Sequence, residues 1–401
     1  MAHPSLFPLA PSAPRVRIAF LVLVGILLGL LFSGTGRAEA DSVTTLSGDL
    51  YYPNGFTVPA GEIWELDPSA DTTIESAGNV VVIGTLRMRP ANESIDHTLT
   101  FVDVDESKFV GGGMMVLPND IGLWVMAGGQ LDIEGTAKTP WAYDWQTEWA
   151  GDEVLAAPVK SGDYEFTSVT GPSDVPSANT YGYQPELLNL TRNVVIGGTP
   201  EGRSHVFIHS QAVQTIKYAT IQWVGPDFDA GTDQTGRYGL HFHHGMDGTR
   251  GSVVEGVVVR NAGNHAFVPH RSHGITFTQT ISYDTVAAAY WWDPSTDSVD
   301  NSSDDITYDR VVAANASANP FKKHVNSAIL LGQGENTSIT GSVVVGYQGT
   351  GSNPAAYSWP GAEGGRWHFA DNLAHNNKSN GIFVWQNTSY NHVVEDFVAY
   401  F

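Results

Sequence analysis

The sequence predicts an all-β protein whose short strands wind into a solenoid, and three observations predict it. Helical periodicity is almost absent along the chain. Runs rich in Val, Ile, Thr, Phe and Tyr, at 80–83, 123–126, 194–196, 206–208, 257–259, 275–277 and 343–345, alternate with Gly, Asn, Asp and Ser. The 43 glycines supply turns between them. The third observation is a weak internal repeat. Residues 257–268 can be laid over 373–384, which sets Asn261 on Asn377, Asn264 on Asn380 and Phe267 on Phe383. Residues 280–292 fit the same frame with Asp284 opposite Asn261, an offset of 23 residues. One solenoid rung of ~20–30 residues spans such an offset, and stacked rungs share one core. The Asn or Asp at the bend reads as a ladder position whose side chain satisfies turn backbone.

The first 40 residues read as an export signal. Arg15 and Arg17 precede the apolar run 18–32, and Ala38-Glu39-Ala40 has the A-x-A form of a cleavage site. An uncleaved membrane anchor is the alternative, but the run is short for a span of ~20 residues. Cleavage leaves a mature chain from Asp41 with no stable membrane span. The full chain carries a formal charge of −22, and removing Arg15, Arg17, Arg37 and Glu39 makes it −24. That acidity excludes nucleic acid as an expected partner, because a phosphate backbone needs a basic footprint. There is no cysteine, so an exported chain of this size is stabilised by its core alone, as in a bacterial exported protein.

Domain organisation follows from composition. Residues 45–140 hold glycine-punctuated strands and read as a glycine-rich β domain. Residues 141–185 lose periodicity, are rich in Pro, Ser, Asp, Tyr and Gly, and read as an irregular connection. Residues 186–401 carry the repeat and read as the solenoid.

Several segments resemble a known family. Val58-Pro59-Ala60-Gly61, the strand 80–86, and Gly128-Gly129-Gln130-Leu131 with Gly135-Thr136 and Pro140-Trp141 resemble the eight-glycine domain. That module is shared by the cell-migration-inducing hyaluronidase, the transmembrane hyaluronidase and the fibrocystin-like proteins. Residues 187–198 resemble the family segment that opens the solenoid, and Arg237 to His243 its Tyr-Pro-Ile-His-Phe-His strand. Tyr283-Asp284-Thr285 with Tyr290-Trp291-Trp292 and Asp293 resembles the strand pair two rungs on. Gly239 stands where that motif has proline, and His244 where it has an apolar residue. The resemblance implies a right-handed parallel β-helix beside a glycine-rich β domain, and action on extracellular polysaccharide such as hyaluronan.

The candidate site starts from Leu240-His241-Phe242-His243-His244. Alternation sends Leu240 and Phe242 to the core and His241 and His243 to an exposed outer face. There the two imidazoles either serve a ligand, as acid and base or on a glycan, or form a hydrogen-bonded ladder between rungs. A zinc site needs a third ligand, for which His244, Asp247 and His265 are candidates. His265, His270 and Arg271 flank Pro269, which is expected to make a corner, with Arg271 able to clamp a uronate carboxylate. Against that stands an ordinary solvated turn. Asp284 and Asp293 bracket Tyr290, Trp291 and Trp292, a carboxylate pair beside sugar-binding aromatic faces, although Asp284 is also the ladder position. Asp227, Asp229 and Asp233 are spaced for calcium, without the twelve-residue loop pattern, or else form a solvated acidic loop. The expectation is an exported glycan-acting β-helix, a glycoside hydrolase or lyase with His241, His243, His265 and Asp284 in its groove. The alternative is a non-catalytic glycan-binding or adhesion module.

Overall fold

A computed structural model describes residues 42–141, 149, 151–156, 187–227, 235–291, 302–317, 327–349, 354–359, 366–384 and 393–400. The chain coils as a parallel β-helix. Its first face is an eleven-stranded sheet running from Ser42–Leu46 to Val393–Glu395, and its second an eleven-stranded sheet from Gly48–Tyr52 to Val398–Tyr400. The third face holds a six-stranded sheet from Phe56–Val58 to Phe267–Ser272 and a three-stranded sheet beginning at Ser327–Leu330. Tyr290 joins those two by parallel bridges to Phe267 and Ile329. Among the described residues there is no α-helix, and no helix is long and apolar enough to cross a membrane.

Alternation along each strand fills the coil. Leu240, Phe242, Val257, Val259, Phe267 and Phe277 point inward and are fully buried in one continuous core. Phe267 stacks on Tyr290 with ring centroids 4.8 Å apart, so successive rungs pack like on like.

The corners hold the register. After each of the later strands of the first sheet stands a residue in the left-handed region: Tyr218, Gly256, Gln279, Arg310, Gly341 and Asp371 have φ of 47°, 61°, 52°, 49°, 60° and 57°. The amide of each donates to the next rung: Tyr218 to Glu255, Gly256 to Thr278, Gln279 to Asp309, Arg310 to Thr340, Gly341 to Ala370 and Asp371 to Glu395. The left-handed turn is costly for residues with a Cβ. It is repeated because it aims an amide at a carbonyl that is otherwise left without a partner.

The stack runs through the boundary expected at residue 186. His97–Phe101 pairs directly with Val194–Gly197, and Gln130–Glu134 with Thr215–Lys217. Residues 45–140, expected as a domain beside the solenoid, therefore form its first rungs. The reason is visible at Gly135, where an added Cβ would lie 2.1 Å from the Tyr218 carbonyl oxygen of the following rung. Glycine there serves close rung-to-rung approach. Most of the connection expected at 141–185 lies outside the described residues; Val154–Ala156 pairs antiparallel with Leu187–Asn189.

The internal repeat is correct in one copy and one residue off in the other. Val258 pairs with Ile281, so Asp284 does stand opposite Asn261. Asn261 donates to Asp284 at 3.4 Å and Asn315 donates to it at 3.3 Å, with all three in the left-handed region at φ 55° to 56°. Further along, Phe267 lies over Tyr290, Ile329, Tyr357 and then Ile382, not Phe383. Asn376, at φ 53°, takes the ladder place expected of Asn377. A shift of one residue exchanges the faces of a strand, and the true register keeps Ala374 inside and Leu373 on the outer face.

Gly256→Val should destabilise the coil by several kcal/mol. The left-handed turn costs a side chain ~1–2 kcal/mol, and a Cβ at this position meets the Tyr218 ring at 2.5 Å. Thermal unfolding checks this, with Gly251→Ala, which meets no atom within 4 Å, as the milder comparison.

Candidate histidine centre

The outer side of the third face is itself covered. Tyr238, Val268, Ala288, Trp291 and Leu330 form a separate buried cluster there. His241 points away from the coil core, as alternation requires, but is fully buried rather than exposed. Phe207 lies edge-on to its ring at 5.3 Å and Tyr238 packs at 4.8 Å.

Three imidazoles converge on this face. His241 and His243 come from Leu240–Met246, and His270 from Phe267–Ser272, where His243 and His270 are register partners. His243 Nδ1 lies 3.3 Å from His241 Nε2 and 3.2 Å from His270 Nδ1. The ligating nitrogens of all three lie within 4.8 Å of one another. His241 donates its Nδ1 proton to the Gly236 carbonyl at 2.8 Å, which leaves the Nε2 lone pair facing His243.

A single His243 Nδ1 stands between two ring nitrogens, His241 Nε2 and His270 Nδ1. If His243 Nδ1 carries a proton, it donates well to only one neighbour. If it carries none, its lone pair faces that of His241. Three nitrogens so placed could hold a metal ion. Tetrahedral zinc with bonds of ~2.0–2.1 Å sets its nitrogens ~3.4 Å apart, close to two of the three separations here. The carbonyl behind His241 is the usual outer support of a metal-binding imidazole.

The rings are held neutral. Burial, then the charge of His270, pushes His241 well below the ordinary imidazole range. Burial, then His241, lowers His243 in the same direction. His270 is pushed down to about 3 by burial, then by His244 and Arg271. His244 is pushed down to about 4 by burial, then by Arg271 and His209. Neutral imidazole is the form that binds metal, so proton competition is small near pH 7.

The surroundings correct several expectations. The third nitrogen comes from His270, not from His244, Asp247 or His265. His244 stacks face to face on His243 at 4.1 Å instead, and Asp247 pairs with Arg250 at 2.7 Å. His265 accepts the Ala288 amide at 3.2 Å and stacks on Trp291 at 3.8 Å, so Trp291, 5% exposed, offers that face to a histidine rather than to a sugar. Asp284 lies in Ile281–Val286 of the second face and holds the asparagine ladder, away from the histidines of the third. Pro269 makes no corner. It is a buried strand residue opposite Phe242, tolerated because its strand ends the six-stranded sheet. The bend comes two residues later, at Arg271, φ 46°. Trp292, Asp293, Asp229 and Asp233 lie outside the described residues; Asp227 is described, and its amide donates to Glu106.

Two features escaped sequence reasoning. His209, in Val206–Ser210, donates Nδ1 to the His243 carbonyl at 2.9 Å. The same alternation that marked His241 and His243 is present there, one rung earlier. Arg237 and Asp120 form a fully buried ion pair at 2.7 Å, with the guanidinium 4.5 Å over Trp124 and 5.1 Å over Phe207. Asp120 also accepts the Val110 and Gly111 amides. The pair ties that loop to the chain entering the histidine strand; 117 residues separate its members.

No family model matches the chain, and no curated protein matches it. The geometry alone defines the site: a β-helix with a neutral three-histidine centre on a covered outer face.

Asp120→Asn, which leaves Arg237 buried without its counter-charge, should cost about 3–5 kcal/mol, read by chemical unfolding. A second expectation concerns pH in metal-free protein. The folded imidazoles refuse protons that the unfolded chain accepts below about pH 6.5. Their contribution is complete above that pH and shrinks as pH falls towards about 4 and 3, where His244 and His270 titrate. The melting temperature should fall between pH 6.5 and 5, above the carboxylate range, and fall less steeply in His270→Asn. A flat profile across that window would contradict the neutral centre.

Proposed function

We propose that this protein is an exported, metal-dependent protein acting on extracellular polysaccharide, with a divalent first-row ion held by His241, His243 and His270. One observation carries the proposal: three imidazole nitrogens within 4.8 Å of one another. The all-histidine ligand set suits zinc, copper, nickel or iron rather than calcium or magnesium, which prefer oxygen. Three protein ligands leave an open position, and an ion so held supplies Lewis acidity to a bound substrate. The chain's own residues orient and support it: Gly236 fixes the His241 tautomer, and His209 holds the His243 backbone. The substrate class rests on the sequence resemblance and on the fold, since a parallel β-helix repeats side chains along its axis at the ~4.8 Å strand spacing and so presents an extended surface to a polymer.

Purified protein stripped of metal and titrated with Zn2+ or Co2+ should bind one equivalent per chain, and His270→Ala should weaken binding at least about tenfold. Release of products from hyaluronan, chondroitin and a neutral glucan should stop on chelation and return with the ion. A chain that takes up neither metal sinks the metal centre. Metal uptake without cleavage of any glycan would remove the enzyme and leave a binding module.

A further inference from the structure

In a chain with 42 acidic and 20 basic residues, arginines are expected to hold carboxylates, and the described ones mostly do. Arg87, Arg203, Arg237, Arg250 and Arg260 each sit on an Asp or Glu. Arg271 is the exception beside the histidine centre. It is half-buried, its Nε is enclosed without a hydrogen-bond partner, and it forms no ion pair among the described residues. It follows His270 directly and lies within electrostatic reach of His270 and His244. It is also held in the left-handed region, φ 46°, at the corner where His244 is left-handed too, φ 54°, and where the register between their strands shifts. A side chain with a Cβ in that region costs energy that the surroundings must supply, and such residues cluster at ligand sites.

The charge balance gives this cation a purpose. Three neutral imidazoles leave a divalent ion with its full charge, and among the described residues no carboxylate joins the cluster. Arg271 adds another positive charge at its edge. A buried donor with no acceptor is costly, and guanidinium suits oxyanions through fixed, directional N–H groups.

We propose that the centre takes an oxyanion, a carboxylate or sulfate group of the substrate, bound between the open position of the ion and the guanidinium of Arg271. The inference rests on the metal reading and adds the chemistry of its ligand. It also explains how a strongly acidic protein attracts an anionic group: the positive charge is local and confined to one corner.

The test uses the full chain loaded with Co2+, whose visible absorption reports its coordination. Acetate and sulfate are titrated separately in a non-coordinating buffer. In the wild type at least one of them should perturb the cobalt bands saturably, acetate marking a planar anion and sulfate a tetrahedral one. Arg271→Gln should keep cobalt affinity and weaken the anion at least about tenfold, with Arg271→Lys in between. Should the glutamine variant fail to fold, the lysine variant against wild type carries the comparison, with weakening still expected. Wild-type bands indifferent to both anions, or equal anion affinity in wild type and variants, would overturn the inference and leave the metal centre standing. Absence of any cobalt band in the wild type overturns the metal reading itself, and the anion site with it.

Discussion

The structure depends on the left-handed corner that ends each later strand of the first sheet. Its amide is delivered to the carbonyl of the next rung, from Tyr218 to Asp371. That bond fixes parallel register, and parallel register places like over like. Phe267 over Tyr290 in the core and His243 beside His270 outside are two products of one constraint. A slip of one residue would send the histidines inward and Leu240 and Phe242 outward. The chemistry of the outer face is therefore only as secure as the corners.

Burial outside the coil matters as much as burial within it. Tyr238, Trp291 and their neighbours cover the third face, and the imidazoles lose their protons there because solvent is excluded. The same exclusion makes charge expensive, which is why Arg237 meets Asp120 with both fully buried. Arg271 stands at the edge of this covered region, where a cation remains affordable and available to a ligand.

Much of the fold was legible in the residues. Period-two alternation at Leu240 to His243 was enough to divide core from outer face, since a strand has only two faces. The Asn261–Asp284 ladder was legible because both residues serve the same turn. The ladder place expected of Asn377 falls to Asn376 because two adjacent asparagines match the pattern equally, and only the rung pairing chooses between them. The glycine-rich first hundred residues resembled a module of their own. Glycine permits close approach whether the neighbour is a domain or the next rung, and composition does not distinguish the two.

The sequence by itself determined a helix-poor solenoid of short strands, an acidic character, and two histidines sharing one side of a strand. Those properties follow from local periodicity and composition. Tertiary structure alone decided that His270, 27 residues beyond His243, completes the cluster, while Asp284 and Trp291 are occupied elsewhere. It also decided that the outer face is covered, and so that its imidazoles are neutral. Which rung lies beside which, and what closes over them, depends on contacts between residues far apart in the chain, and no local pattern encodes those distances.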